Sequence, residues 1–320
     1  MNAKSVKKLN AQARYALTGT PIENSLADLW SIFDFILPGY LKSYARFRDD
    51  YEVGIVKDDD KRLVEELSKM ISPFILRRTK KEVLHELPKK IEEVIYATMD
   101  DDQRGIYDAR LLEARRELEE ADKFTMFKIL TSLRQICCDP KLYSSNYSGK
   151  SAKLEVLMNV LKTNATIKNK TLVFSQFTSM LDIIKKKLDE ENIKYLVLTG
   201  ETPTKVRLDL VNEFNNSEDC FVFLISLKAG GMGLNLTSAQ TVIHYDPWWN
   251  LSVENQATDR AHRIGQLNNV LVLKLIAKNS IEEKILTIQE RKQALSNSVI
   301  SDDEHIATTL SDDELISLFE

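Results

Sequence analysis

Apolar side chains recur at helical spacing along the first half of this chain, and from about residue 150 the rhythm changes to short apolar runs separated by amphipathic stretches. Leu26, Leu29, Trp30, Phe33 and Leu37 form one stripe, and Pro38-Gly39 stops the helix they predict. Before it, Arg14 to Leu17 reads as a short strand entering the tight turn Thr18-Gly19-Thr20-Pro21, although a strand needs neighbours and none precede it. Leu63, Leu67, Met70 and Ile71 predict a second helix within a charged stretch from about Tyr40 to Lys90. The β-branched run Ile91 to Met99 predicts a strand, and "DDQRGIYDARLLEARRELEEADKF" a long charged helix followed by another through Cys138. The polar stretch Asp139 to Lys150 reads as a linker.

Beyond that linker, candidate strands "TLVFSQF", "KYLVLTG", "CFVFLIS", "TVIHYD" and "NVLVLKLIA" alternate with helices at about 179–190, 204–215, 251–264 and 280–295. Nearly continuous apolar strands suit a parallel sheet covered on both faces, so the expectation is one α/β domain over about 150–297. Within it, Thr202 is placed as N-cap and Pro203 as first residue of a helix whose stripe is Val206, Leu210 and Phe214. Near the end, "SDDE" occurs at Ser301 and at Ser311, each copy fitting a capping box, and the second leads into Leu315, Leu318 and Phe319 as a short surface helix.

Charge narrows the function classes. With 44 basic and 48 acidic side chains the formal net charge is -4, so this is not the basic body of a nonspecific nucleic-acid binder, and any contact with phosphates must be local. No apolar run reaches the roughly eighteen residues of a membrane span, and "MNAKSVKKLN" lacks the apolar segment of a signal peptide. A soluble intracellular protein with no membrane partner is expected. Cys137, Cys138 and Cys220 lack metal-ligand spacing and read as buried thiols; the scattered His85, His244, His262 and His305 are assigned no metal.

The stretch "NQATDRAHRIGQ" carries the first candidate chemistry. A helix from Leu251 to Ile264, capped by Asn250 and ended by Gly265, would pack Val253, Ala257, Ala261 and Ile264 inward and set Gln256, Arg260 and Arg263 beside that stripe. Asp259 can pair with Arg263, whereas Arg260 has no carboxylate three or four residues away. Two guanidinium forks beside small alanines, after a parallel strand, suit either a held phosphate or ordinary surface charge. The loop "SLKAGGMGLNL", Ser226 to Leu236, adds glycines that let backbone amides approach a ligand, though a plain turn needs them too and they do not match the Gly-x-x-x-x-Gly-Lys phosphate loop.

Taken together and in order, "ALTGTPIENSLADLW", "LVFSQFTSML", "ISLKAGGMGLNLTSAQTVIHYDPWWN" and "QATDRAHRIGQ" resemble the third to sixth helicase motifs of the Swi/Snf family of DNA-translocating ATPases in superfamily two. "PFILRRTKKEVLHELPKK" and "LRQICCDP" look like that family's linking segments, so the resemblance spans about Arg14 to Leu295. It implies a RecA-like parallel sheet flanked by helices, the second helicase lobe, with helical protrusions. It also implies that 1–38 is the last strand and helix of a first RecA-like lobe absent from this sequence. Residues 39–90 are then a helical protrusion and linker, and 91–149 a strand joining the second lobe plus a second protrusion. The second lobe itself is 150–300, and 301–320 an acidic tail.

Carried over residue by residue, the resemblance gives Arg260 and Arg263 as the catalytic arginines that reach ATP phosphates, with Gln256, Gly231 and Gly233 on the nucleotide side. Ser175, Gln176, Lys228, Gly230 and Asn235 line the DNA track, and Thr18, Gly19, Thr20 and Pro21 couple the two. ATP and magnesium would be the full-length protein's cofactors, held mainly by the absent lobe. Double-stranded DNA would be the partner, with DNA-bound proteins or RNA polymerase as targets, and the location nucleoid-associated in a bacterium or nuclear in a eukaryote. This stretch alone would not turn over ATP. The alternative is a non-catalytic nucleic-acid or protein binding module with the same fold. Arg77 and Arg78 read equally as linker ion-pair partners or functional groups, while for Trp248 and Trp249 packing is preferred over base stacking.

Overall fold

Residues 5–7, 10–17, 26–57, 60–76, 78, 84, 86–117, 122–230, 233–299 and 317–319 are described by the computed structural model. They divide into two compact units, one mainly up to Val83 and the other mainly Leu84–Trp249 and Val253–Thr287.

The first unit is helical. Helix α1 (Leu26–Ile36) buries Leu26, Leu29 and Phe33, as its stripe dictates, and the chain turns out of it through Gly39 at φ +83°. Helix α2 (Lys61–Ile71) buries Val64, Leu67 and Ile71, and the Asp60 carboxylate caps it by accepting from Arg62 N. Between them, Tyr44–Phe47 and Val53–Lys57 contribute Phe47 and Ile55 to the same core. The strand expected at Arg14 to Leu17 does not form: the segment is irregular, with Tyr15 and Leu17 exposed, and the Arg14 side chain donates to Phe35 O at 3.1 Å. A strand is held by its neighbours' hydrogen bonds, and no strand is described in this unit.

The second unit is a six-stranded, wholly parallel sheet in the order β1-β6-β5-β2-β4-β3. Its strands are β1 (Lys90–Ala97), β2 (Thr171–Ser175), β3 (Tyr195–Leu198), β4 (Val222–Ser226), β5 (Thr241–His244) and β6 (Val270–Ala277), matching all six expected apolar runs. Successive residues feed opposite cores: Leu172 and Phe174 pack to one face with Phe223 and Ile225, and Val173 to the other with Val222 and Leu224. Helices α5 (Ala152–Thr166) and α6 (Thr178–Glu190) cover the second face, and α7 (Thr204–Asn216) and α8 (Leu251–Thr258) the first. This is the doubly wound α/β architecture expected.

Helices α3 (Asp101–Glu117) and α4 (Lys123–Cys138) precede α5, and α9 (Ile281–Val299) follows β6. Polar bonds fasten them together. Gln103 Nε2 donates to Ile136 O while its Oε1 accepts from Ala152 N, and Tyr107 Oη accepts from Ile281 N. The ammonium of Lys153 meets both Glu282 oxygens, at 2.7 and 2.9 Å, with neither side chain exposed. Cys137, Cys138 and Cys220 are all buried free thiols. Among the described residues no helix is long and apolar enough to cross a membrane.

One helix cap and one helix end differ from expectation. Helix α7 starts at Thr204 with Pro203 as its cap, because Thr202 Oγ1 accepts from Thr199 N and Thr202 O from Arg207 Nε. That pull turns Arg207, Val211 and Phe214 inward and leaves Val206 exposed. Helix α8 stops at Thr258 instead of Ile264. The carbonyls of Arg260 and Ala261, which a longer helix would use internally, accept from Leu236 N and Gln266 Nε2, and residues 259–265 close as turns. Ile264 is therefore exposed, not part of the packed stripe.

Candidate functional site

The early end of α8 decides the geometry of the arginines. Arg260 and Arg263 lie in the turns after Thr258, both half-buried, and not on the continuous helix the spacing suggested. Gln256 remains on α8, half-buried, and Asn250 caps that helix by accepting from Ser252 N at 3.0 Å. Inward from the turns, Ala257 and Ala261 are fully packed. Burial, and then the neighbouring Arg263 charge, lowers the pKa of the Arg260 guanidinium, with Asp259 acting the other way. The two guanidinium groups repel each other, and the Asp259 carboxylate offsets part of that repulsion.

The glycine loop is fastened to this turn. Leu236 N donates to Arg260 O at 2.9 Å, and Arg263 Nη1 donates to Leu234 O at 3.3 Å. Below them Gln266, 4% exposed, donates to Ala239 O and Ala261 O and accepts from Asn268 N. Gly265 takes φ +98°, which lets the chain reverse into β6. Exposed Gly233 faces open space and exposed Asn235 uses its carbonyl to accept from Asn215 Nδ2. Lys228 is exposed on the short helix Leu227–Gly230 that directly follows β4. Thr18, Gly19, Thr20, Pro21, Gly231, Arg77 and the paired "SDDE" segments at Ser301 and Ser311 lie outside the described residues; Arg78 is exposed.

Ser175 and Gln176 end β2, where the structure gives them inward partners. Ser175, 1% exposed, donates its hydroxyl to Asp246 Oδ1 at 2.5 Å, so any contribution it makes to a surface is indirect. Gln176 N donates to the same carboxylate at 3.2 Å, and the Gln176 side chain, part-buried, accepts from Arg134 Nη2 at 2.7 Å. The rings of Trp248 and Trp249 lie against each other, centroids 3.5 Å apart and tilted by 30°, and Phe127 adjoins Trp249. Glu254 accepts from Trp248 N at 2.7 Å and pairs with Lys274 at 3.0 Å.

Sequence reasoning missed Arg134, Asp246, Glu254 and Gln266, all buried polar side chains. Periodicity marks such residues only as interruptions of an apolar face, and it gives no sign of distant partners such as Asp246 for Arg134 or Ala239 for Gln266. His262, which the sequence gives no metal, has its Nε2 2.8 Å from Pro88 O, tying the arginine turn to the segment that enters β1.

The model of the SNF2-related domain matches residues 1–142, and that of the helicase conserved C-terminal domain residues 152–265. An uncharacterized ATP-dependent helicase of Mycoplasma genitalium is 42% identical over 320 residues, covering 99% of this chain and 31% of that protein. The chain thus spans about a third of the length of that curated relative. The Sulfolobus solfataricus SWI2/SNF2 ATPase core in complex with double-stranded DNA is 37% identical with a TM-score of 0.60, covering 99% of this chain and 68% of that one. The C-terminal domain of the same ATPase is 30% identical with a TM-score of 0.58, covering 72% of this chain and 98% of that one. With these matched domains, and at 37% and 30% identity to SWI2/SNF2 ATPase structures of which it covers 68% and 98%, this chain belongs to the Swi/Snf family.

Proposed function

We propose that this chain is the C-terminal part of a double-stranded-DNA-dependent ATPase that translocates along or remodels DNA. The observation that carries the reading is the bonding of the arginine turn to the glycine loop, Leu236 N to Arg260 O and Arg263 to Leu234 O. It joins a phosphate-recognition element to a loop suited to approach by a nucleic-acid backbone. ATP supplies the phosphoryl group and the free energy of its transfer to water.

Arg260 and Arg263 have the chemistry to receive phosphate oxygens, since each is a planar donor fork and Arg260 is already partly desolvated. Held in place beforehand, they oppose charge developing on a transferred phosphoryl group. Gln256 and Gly233 are assigned to the nucleotide side of the turn, as is Gly231. Magnesium, which the resemblance implies for the full-length protein, is assigned with the nucleotide to a first lobe. A first lobe of the same protein would hold it, and the 320-residue chain alone would not hydrolyse ATP.

Lys228, Gly230, Asn235 and Gln176 are assigned to the DNA track, with Ser175 fixing the turn beneath Gln176. Backbone amides and short polar groups hold phosphates without reading sequence, which suits a motor that moves over any DNA. Thr18, Gly19, Thr20 and Pro21 would couple nucleotide state to that grip. The test is ATP turnover with and without duplex DNA in a protein that joins this chain to a complete first lobe. DNA-stimulated turnover that falls by about a thousandfold in Arg260→Ala, with DNA affinity retained, supports the reading. Turnover surviving that substitution rejects it.

A further inference from the structure

The connections diverge between β2 and β5, which are neighbours in the sheet: the chain leaves β2 for the edge strand β3 on one side and leaves β5 for β6 on the other. In open parallel sheets the crevice beyond the strand ends at such a divergence is the ordinary seat of a ligand. Here a side chain of the chain itself occupies it. Arg134 comes from α4 and is 1% exposed. Its Nη2 lies 2.7 Å from Gln176 Oε1, 2.8 Å from Pro247 O and 3.4 Å from Asp246 Oδ2. The guanidinium carbon stands 5.3 Å from the Phe177 ring, 5.0 Å from Trp248 and 5.4 Å from Trp249.

One guanidinium therefore gathers the loop after β2, the loop after β5 and three aromatic faces. Stability is a weak explanation for it. A buried ion pair seldom outperforms apolar replacements of equal volume, and Arg134 Nε is buried with no hydrogen-bond partner. A planar fork that can hold an amide oxygen, a carbonyl and a carboxylate while stacking on rings is a property of arginine and not of lysine.

We propose that Arg134 is a positioning residue: it locks Gln176 and the Trp248–Trp249 pair into one rigid unit of the nucleic-acid surface, making α4 part of the grip. This rests on the assignment of Gln176 to the DNA track. With the fork removed, the Gln176 carboxamide loses its internal partner and the tryptophans lose the cation they enclose, so binding has to order what the fold now orders in advance.

The test uses the 320-residue chain carrying Trp30→Phe, so that emission reports only Trp248 and Trp249. Arg134→Met, which fills the space without a fork, should keep the far-ultraviolet circular dichroism, shift tryptophan emission to the red and increase quenching by acrylamide. It should weaken binding of a fluorescent duplex about tenfold, and Arg134→Met with Gln176→Ala together should lose no more than the worse single change. Unchanged emission and quenching, or single losses that multiply in the double variant, overturn the proposal. If Arg134→Met loses helical content, Arg134→Lys gives the same readouts with the charge kept. A parent chain that fails to bind duplex rejects the DNA-track reading instead, and the tryptophan signature then decides for or against Arg134.

Discussion

The backbone N–H of Leu236 donates to the carbonyl of Arg260 at 2.9 Å, so the last residue of the glycine loop and the first arginine of the turn are placed by one bond. That bond replaces the helical bond Arg260 O would otherwise accept, which is why α8 ends where the candidate site begins. Gln266 holds the same arrangement from beneath. Gln266→Ala removes three hydrogen bonds at a buried position and leaves backbone groups unsatisfied, and should cost about 2–4 kcal/mol of stability. Urea unfolding measures this; a loss under about 0.5 kcal/mol, typical of surface positions, contradicts it.

The buried pair of Lys153 and Glu282 fixes the start of α5 to the start of α9. Removing one partner strands a charge away from water, so Lys153→Met or Glu282→Leu alone should cost about 3–5 kcal/mol. The two together should recover most of that loss. Unfolding free energies for the two single variants and the double form the cycle, and additive losses refute the coupling.

His244 makes stability depend on pH. Burial, ahead of any neighbouring charge, pushes its imidazole down from 6.5 to about 4. Glu254 and Glu92 oppose that shift and Lys274 and Lys90 reinforce it, while the ring stacks on Phe174 and its Nε2 meets Thr258 Oγ1 at 2.9 Å. The folded chain refuses a proton that the unfolded chain accepts. Its contribution is therefore complete above about pH 6.5 and is lost as pH falls toward 4, by on the order of 3 kcal/mol. Stability measured against pH in the wild type and in His244→Asn should show a shallower slope in the variant across that window; parallel curves contradict the assignment.

The sheet was legible because β2, β4 and β5 are buried on both faces and appear as unbroken apolar runs. Helices α1 and α2 were legible because one face of each is apolar. The arginine turn was legible in composition but not in shape. Its spacing fits a helix, and only the distant partners Leu236 and Gln266 end that helix at Thr258. Arg134 and Asp246 were missed for the same reason, since each acquires its meaning from a residue more than a hundred positions away in sequence.

Lys228 is exposed directly after β4 and is proposed for the DNA track. If it neutralises one phosphate, Lys228→Ala lowers duplex affinity for all sequences alike and reduces the slope of log affinity against log salt by about one. Fluorescence anisotropy at several salt concentrations gives that slope. An unchanged slope removes Lys228 from the track.

The proposed role of Arg260 is to oppose charge that develops during phosphoryl transfer. The direct measurement is the affinity of a protein joining this chain to a complete first lobe, with and without Arg260→Ala, for ADP alone and for ADP with aluminium fluoride, a mimic of the transferring phosphoryl group. The substitution should weaken binding of the mimic by about a hundredfold or more and of ADP hardly at all. Equal effects on both ligands, or none on either, would contradict it.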